Sequence, residues 1–125
     1  MSHNKSKVKL EREGNLSYKR SLVNQIVELA AKEIAGVASF SDSKVLRMKK
    51  MFNKNFKRGI VLNFAEDGVY IDLYINILFG HAVNDVAYRV QENIKKSVES
   101  MTEFKVKKTN VHIYGINFDM ENLIA

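Results

Sequence analysis

The chain predicts an α+β fold, a split βαβ-like mixed sheet in the order β-α-β-β-α-β with two main helices on one face. Three patterns carry that reading. Apolar residues recur at three and four from Tyr18 to Ile34 and again from Val83 to Met101, the spacing of an amphipathic helix. Between them Val69, Ile71, Leu73, Ile75 and Ile77 alternate with other residues, the period of a strand with one buried face. A shorter apolar run, Ile60, Leu62 and Phe64, precedes that strand across a Glu66-Asp67-Gly68 turn.

The elements follow in chain order. Residues 1–7 are polar and read as a flexible tail, residues 8–118 as one domain, and residues 119–125 as a second short tail. Val8 and Leu10 alternate with Lys9 and Glu11, which predicts a short edge strand closed by Gly14. The first helix begins near Tyr18 behind Ser17, whose hydroxyl can accept a first-turn amide. Leu22, Ile26, Leu29, Ala30 and Ile34 form its apolar side, and Gly36 can end it by taking the left-handed conformation. Val37 to Phe40 is apolar but too short to show a period.

Asp42 to Arg58 reads as a weaker helix followed by a loop, with Val45, Met48, Met51, Phe52 and Phe56 on one side. Ile60–Ala65 and Val69–Phe79 then form an antiparallel hairpin, with Asp67-Gly68 as its tight turn. Gly80 breaks the second strand. The long helix starts near Asn84, a plausible cap, and its stripe is Val83, Val86, Ala87, Val90, Ile94, Val98 and Met101. The last strand alternates Val111 and Ile113 with His112 and Tyr114, with Val106 and Ile116 to Phe118 at its ends. Helices on one face of the sheet bury both helical stripes at once.

Composition narrows the function classes. At 125 residues and 46% hydrophobic, the chain suits one ordinary hydrophobic core. Absence of cysteine removes disulfides, thiolate nucleophiles and thiolate metal sites together. The first ten residues carry no apolar h-region, and no apolar run approaches the roughly 20 residues that span a bilayer. A cytoplasmic location is the expectation. Nothing convergent suggests catalysis: the three histidines are scattered, and no phosphate-cradling glycine motif or nucleophile elbow occurs. His81 and Asp85 stand four apart, but the spacing fits a loop residue beside a helix start. No catalytic, cofactor or metal residue is expected, and no small-molecule substrate.

Two surfaces remain. The net charge of +6 is concentrated in one segment, where Lys44, Arg47, Lys49, Lys50, Lys54, Lys57 and Arg58 face the single acid Asp42. Such a cluster attracts phosphate-rich or carboxylate-rich partners. Tyr70, Asp72, Tyr74 and Asn76 lie opposite the apolar stripe of their strand, and His112 and Tyr114 can join them from the last strand. Tyrosines offer rigid contact area with a polar tip, which suits a protein interface. The RNA-recognition variant of this fold needs aromatics at positions that here hold Ile60, Leu62 and Ala65, so base stacking by that route is lost.

The C-terminal half carries a family resemblance. Gly80, then Val83-Asn84-Asp85-Val86-Ala87-Tyr88-Arg89-Val90-Gln91-Glu92-Asn93-Ile94, Val98-Glu99-Ser100-Met101-Thr102 and Asn110-Val111-His112-Ile113-Tyr114-Gly115-Ile116 together resemble the alkaline shock proteins of Gram-positive bacteria. Ala35-Gly36-Val37 and Arg58-Gly59-Ile60-Val61 extend the resemblance upstream, from about Leu16 to Phe118. One departure is visible: Glu103 stands where that family typically has glycine after the Met-Thr pair. The resemblance implies a non-enzymatic, homo-oligomeric scaffold of envelope stress or homeostasis, with protein partners that include a membrane-anchored one. The basic segment supplies the alternative expectation, electrostatic binding of nucleic acid or anionic lipid.

Overall fold

The computed structural model describes residues 2–41, 56–57 and 59–118, with side chains for residues 15–41 and 59–118. Helix α1 (Ser2–Lys32) leads into β1 (Val37–Phe40), and β2 (Phe56–Lys57), β3 (Ile60–Ala65) and β4 (Gly68–Leu78) follow. Helix α2 (Val83–Met101) then crosses to β5 (Val106–Asn117). The fold class is the one the patterns predict, α+β with a mixed sheet and both helices on one face.

Strand β4 is the axis of the sheet. Along one side it pairs with β5 in parallel, from Val69↔Val106 to Leu78↔Asn117. Along the other it pairs antiparallel with β3 over its first half and with β1 over its second. Its apolar residues, Val69, Ile71, Leu73, Ile75 and Ile77, are all 0% exposed. They meet Val23, Ile26, Val27, Ala30 and Ala31 from α1 and Val86, Val90, Ile94 and Val98 from α2 in one core. Strict alternation on β4 thus becomes a two-layer structure, with the helices on one side and the polar-aromatic face on the other. Among the described residues, no helix is long and apolar enough to cross a membrane.

Several local expectations change. Residues 8–10 belong to α1, not to an edge strand, and the helix also takes in Ser2–Lys7. A two-residue alternation is weak information beside a helix that continues through it. Ser17 is likewise inside α1, so it is not the N-cap. The buried side of α1 is turned from the expected one: Val23 and Val27 are 0% exposed, whereas Leu29 is 64% exposed. Val37 to Phe40, untyped in the sequence, is a strand because β4 offers it an unpaired edge at Ile75 to Ile77.

The hairpin is offset by one residue at its turn. Ala65 pairs with Gly68, so Glu66-Asp67 form the loop and Gly68 opens β4. Strand β4 ends at Leu78, one residue before Phe79. Helix α2 is capped by Ala82, without a side-chain hydrogen bond, in place of Asn84. Its other end is closed by Thr102, whose hydroxyl donates to Val98 C=O at 2.7 Å and accepts from Phe104 N–H at 3.1 Å. Thr102 ends the helix in extended backbone, φ −136 and ψ 173, with its N–H and hydroxyl both on Val98 C=O, and Glu103 beyond it pairs with Lys19 at 2.6 Å.

Candidate interaction surface on the open sheet face

Register builds this surface. With Tyr74 opposite His112 and Asp72 opposite Asn110, alternate residues of β4 and β5 share the face away from the helices. The Tyr74 ring stacks on His112 with centroids 4.5 Å apart and planes 12° from parallel. It also stacks on Tyr114, at 5.5 Å and 19°. A register shift between Ile75 and Asn76 makes Tyr114 an extra residue on β5 and brings it within reach of the same ring. Aromatic pairs in such offset stacks contribute roughly 0.5–1.5 kcal/mol beyond their buried area.

Polar contacts hold the rest of the face in place. Asp72 Oδ1 accepts from Asn110 Nδ2 at 3.0 Å and lies 3.1 Å from His112 Nε2. Asn76 Nδ2 donates to Ser39 Oγ at 3.1 Å, and Asn117 Nδ2 approaches the same oxygen at 3.5 Å. Tyr70 donates its hydroxyl to Asp67 Oδ2 at 2.9 Å. That hydrogen bond raises the Tyr70 phenol above its ordinary value, with desolvation and the Asp67 charge acting the same way. The six residues expected here, Tyr70, Asp72, Tyr74, Asn76, His112 and Tyr114, therefore lie on one face but in separate contact groups: Tyr70 with Asp67, Asp72 and Tyr74 with His112 and Tyr114, and Asn76 with Ser39. Ser39, Asn110 and Asn117 belong with them and were missed. Asn110 could have been found, since it has the parity of His112 on an alternating strand.

The backbone of Tyr74 is also a junction. Its N–H donates to Gly59 C=O at 2.9 Å, and its C=O accepts from Ser41 N–H at 2.7 Å. Gly59 has φ +79, and a side chain there would meet Tyr74 O at 2.8 Å, so only glycine lets the chain pass. The basic residues Lys44, Arg47, Lys49, Lys50, Lys54 and Arg58 lie outside the described residues, as does the expected helix around them. Lys57 is described only as backbone in β2. What the structure places is the two residues that flank that segment, Ser41 and Gly59, both bonded to Tyr74.

Asp85 pairs with Arg89 at 3.2 Å, one turn along α2, rather than with the exposed His81. An open groove of about 440 Å³ lies between α1 and the α2–β5 turn, lined by Tyr18, Leu22, Phe104 and their neighbours. The carboxylate in it, Glu103, is held below the usual carboxylate range by its hydrogen bond to Lys19 and by that cation's charge. Among the described residues no group of three histidine, aspartate or glutamate side chains is placed to hold a metal ion.

Comparison with known proteins places the chain. Uncharacterized protein YqhY of Bacillus subtilis (strain 168) is 34% identical over 107 residues, 85% of this chain and 79% of that protein. Uncharacterized protein YloU of the same organism is 28% identical, across 66% of this chain and 69% of its own. Uncharacterized protein Spy1614 of Streptococcus pyogenes serotype M6 is 22% identical, across 89% and 94%. Among solved structures, variants of MamM-CTD align with a TM-score of 0.47 at 13% identity, over 76% of this chain and 95% of theirs. That likeness is too low to carry an argument. A family model, with cell envelope-related function as its description, matches residues 8–118. The chain belongs to the alkaline shock protein 23 (ASP23) family.

Proposed function

We propose that this chain is a non-enzymatic scaffold or adaptor of cell-envelope homeostasis, acting in the cytoplasm beside the membrane through protein contacts and self-association. One observation carries the reading. On the open sheet face Asp72, Tyr74, His112 and Tyr114 are exposed or half-buried yet already fixed by stacking and hydrogen bonds. A surface ordered before it meets a partner loses little side-chain entropy on binding, which costs about 0.5–1.5 kcal/mol per immobilised side chain otherwise. The family's envelope-related description supports the setting. Tyr70, Asp72, Tyr74, Asn76, His112 and Tyr114 form the contact surface in this reading. Replacing Tyr70 and Tyr74 together with serine is expected to abolish partner capture in pull-downs while thermal unfolding stays cooperative. Equal capture by the folded double variant rejects the assignment.

A second reading has its own support, because Ser41 and Gly59, which flank the basic segment, are both bonded to Tyr74. An anionic lipid surface or nucleic acid held by that segment would then lie beside the aromatic face. Counterion release makes such binding fall steeply with salt. Titration against anionic vesicles and against RNA at two salt concentrations separates the two ligands. Binding unchanged on charge reversal of Lys49, Lys50 and Lys54 removes this reading.

A further inference from the structure

Strand β5 is an edge: it pairs with β4, and among the described residues no strand takes its other side. The direction of its backbone groups follows from bonds already placed. Tyr74 turns its N–H and C=O toward Gly59 and Ser41, whereas Val69 and Phe79 turn their N–H groups toward Lys105 and Asn117. Odd-numbered residues of β4 therefore face β5. In a parallel ladder, the residue opposite such a group turns its own amide and carbonyl away. Val106, Thr109, Val111 and Ile113, opposite Val69, Ile71, Leu73 and Ile75, point theirs to the open edge.

The two halves of that edge differ. Helix α2 closes the first: Glu99 Oε2 accepts from Val106 N–H at 2.9 Å, and Gln91 Nε2 donates to Thr109 C=O at 2.9 Å. Exposed Lys105, Lys107 and Lys108 and a register shift lie in the same half. Charges and bulges are what edge strands carry against unwanted pairing. From Asn110 to Ile113 the register is regular, and no side chain among the described residues caps Val111 or Ile113. Their half-buried apolar side chains sit at the margin of the core.

We propose that a second copy of this chain pairs with the uncapped half, β5 against β5, antiparallel about a two-fold axis at His112. This rests on the scaffold reading above and names its self-association joint. Centred there, Val111 lies opposite Ile113 of the second copy and Ile113 opposite its Val111, so the uncapped groups satisfy each other. Moving the centre one step either way brings in Thr109, already bonded to Gln91, or Gly115, beyond the second register shift. Parallel alignment places the lysines of the two copies side by side. Antiparallel alignment instead sets the lysine-bearing start of one strand beside the lysine-free end of the other. The two-fold axis is perpendicular to the sheet, so both aromatic faces lie on one side of a continuous surface.

The chain has no cysteine, which makes the register directly testable. His112 faces its own copy at a non-hydrogen-bonded pair, with Cα atoms about 4.5 Å apart. His112→Cys is expected to cross-link into a dimer on mild oxidation. Asn110→Cys is not, because two copies of residue 110 lie well beyond the roughly 7 Å limit of a disulfide. Val111→Pro removes an N–H that β4 does not use, and edge strands accept proline at such positions. It is expected to sediment as a monomer with unchanged circular dichroism, against a dimer for the unaltered chain. A monomeric unaltered chain, a folded Val111→Pro variant that still dimerises, or equal cross-linking of the two cysteine variants overturns the proposal. If the proline variant does not fold, the cysteine pair decides. Loss of the dimer with partner capture intact, or the reverse in the tyrosine variants, tells this joint apart from the partner-binding face.

Discussion

Tyr70 ties the open face to the hairpin turn, and its proton is the sensitive part of that link. Because the hydrogen bond to Asp67 favours the neutral phenol, its folded pKa lies above the unfolded value. The stability it contributes is fully present below the unfolded pKa and is lost as pH rises through the folded one. In an ultraviolet titration, the tyrosinate step that disappears in Tyr70→Phe is expected above the free-tyrosine value, and Asp67→Asn is expected to lower it. An unmoved step in Asp67→Asn would show that the bond has no influence in solution. Gly59 makes a different prediction. Its φ of +79 and its closeness to the Tyr74 carbonyl mean that Gly59→Ala should cost about 1–3 kcal/mol, measured by denaturant unfolding. The alternation of Tyr70, Asp72, Tyr74 and Asn76 was legible because a strand's side chains have period two. The stack on His112 and Tyr114 was not, because it depends on which β5 residue lies opposite Tyr74 and on a register shift beside it.

At the scale of elements, α1 and α2 show how packing selects one side of a helix. Ile94 is 0% exposed in the middle of α2, whereas Leu29 is 64% exposed on α1 despite its place in the periodic pattern. Ile94→Ala is expected to destabilise by about 2–5 kcal/mol, from lost burial and the cavity left behind. Leu29→Ala is expected to stay within about 0.5 kcal/mol, as a surface change does. Equal losses in chemical denaturation would mean that α1 packs with another face. The connection between α2 and β5 adds a pH effect. Glu103, held low by Lys19, contributes stability above its unfolded pKa that is lost as pH falls through the depressed folded value. Lys19→Ala should flatten that part of an acid unfolding profile. A helix C-terminus is usually read from a glycine, and here Thr102 ends the helix by turning to extended backbone, which no residue pattern announces.

For the whole molecule, the basic segment and the aromatic face form one question, since Ser41 and Gly59 meet on Tyr74. If the face captures a protein and the segment steers it, raising salt should slow association more than it speeds dissociation, which surface-immobilised kinetics can measure. Dissociation as salt-sensitive as association would place the charges in the bound interface itself. The hairpin, the two buried helices, the fold class and the separation of an apolar from a polar-aromatic face were all legible in residue order. Each of these is a matter of period, and burial imposes that period on neighbouring residues along the chain. That Val37–Phe40 completes the edge of β4, and which half of β5 is capped by α2, emerge from the three-dimensional fold alone. These outcomes depend on partners far away in sequence, whose free edges and side chains compete for the same backbone groups, and no local pattern encodes that competition.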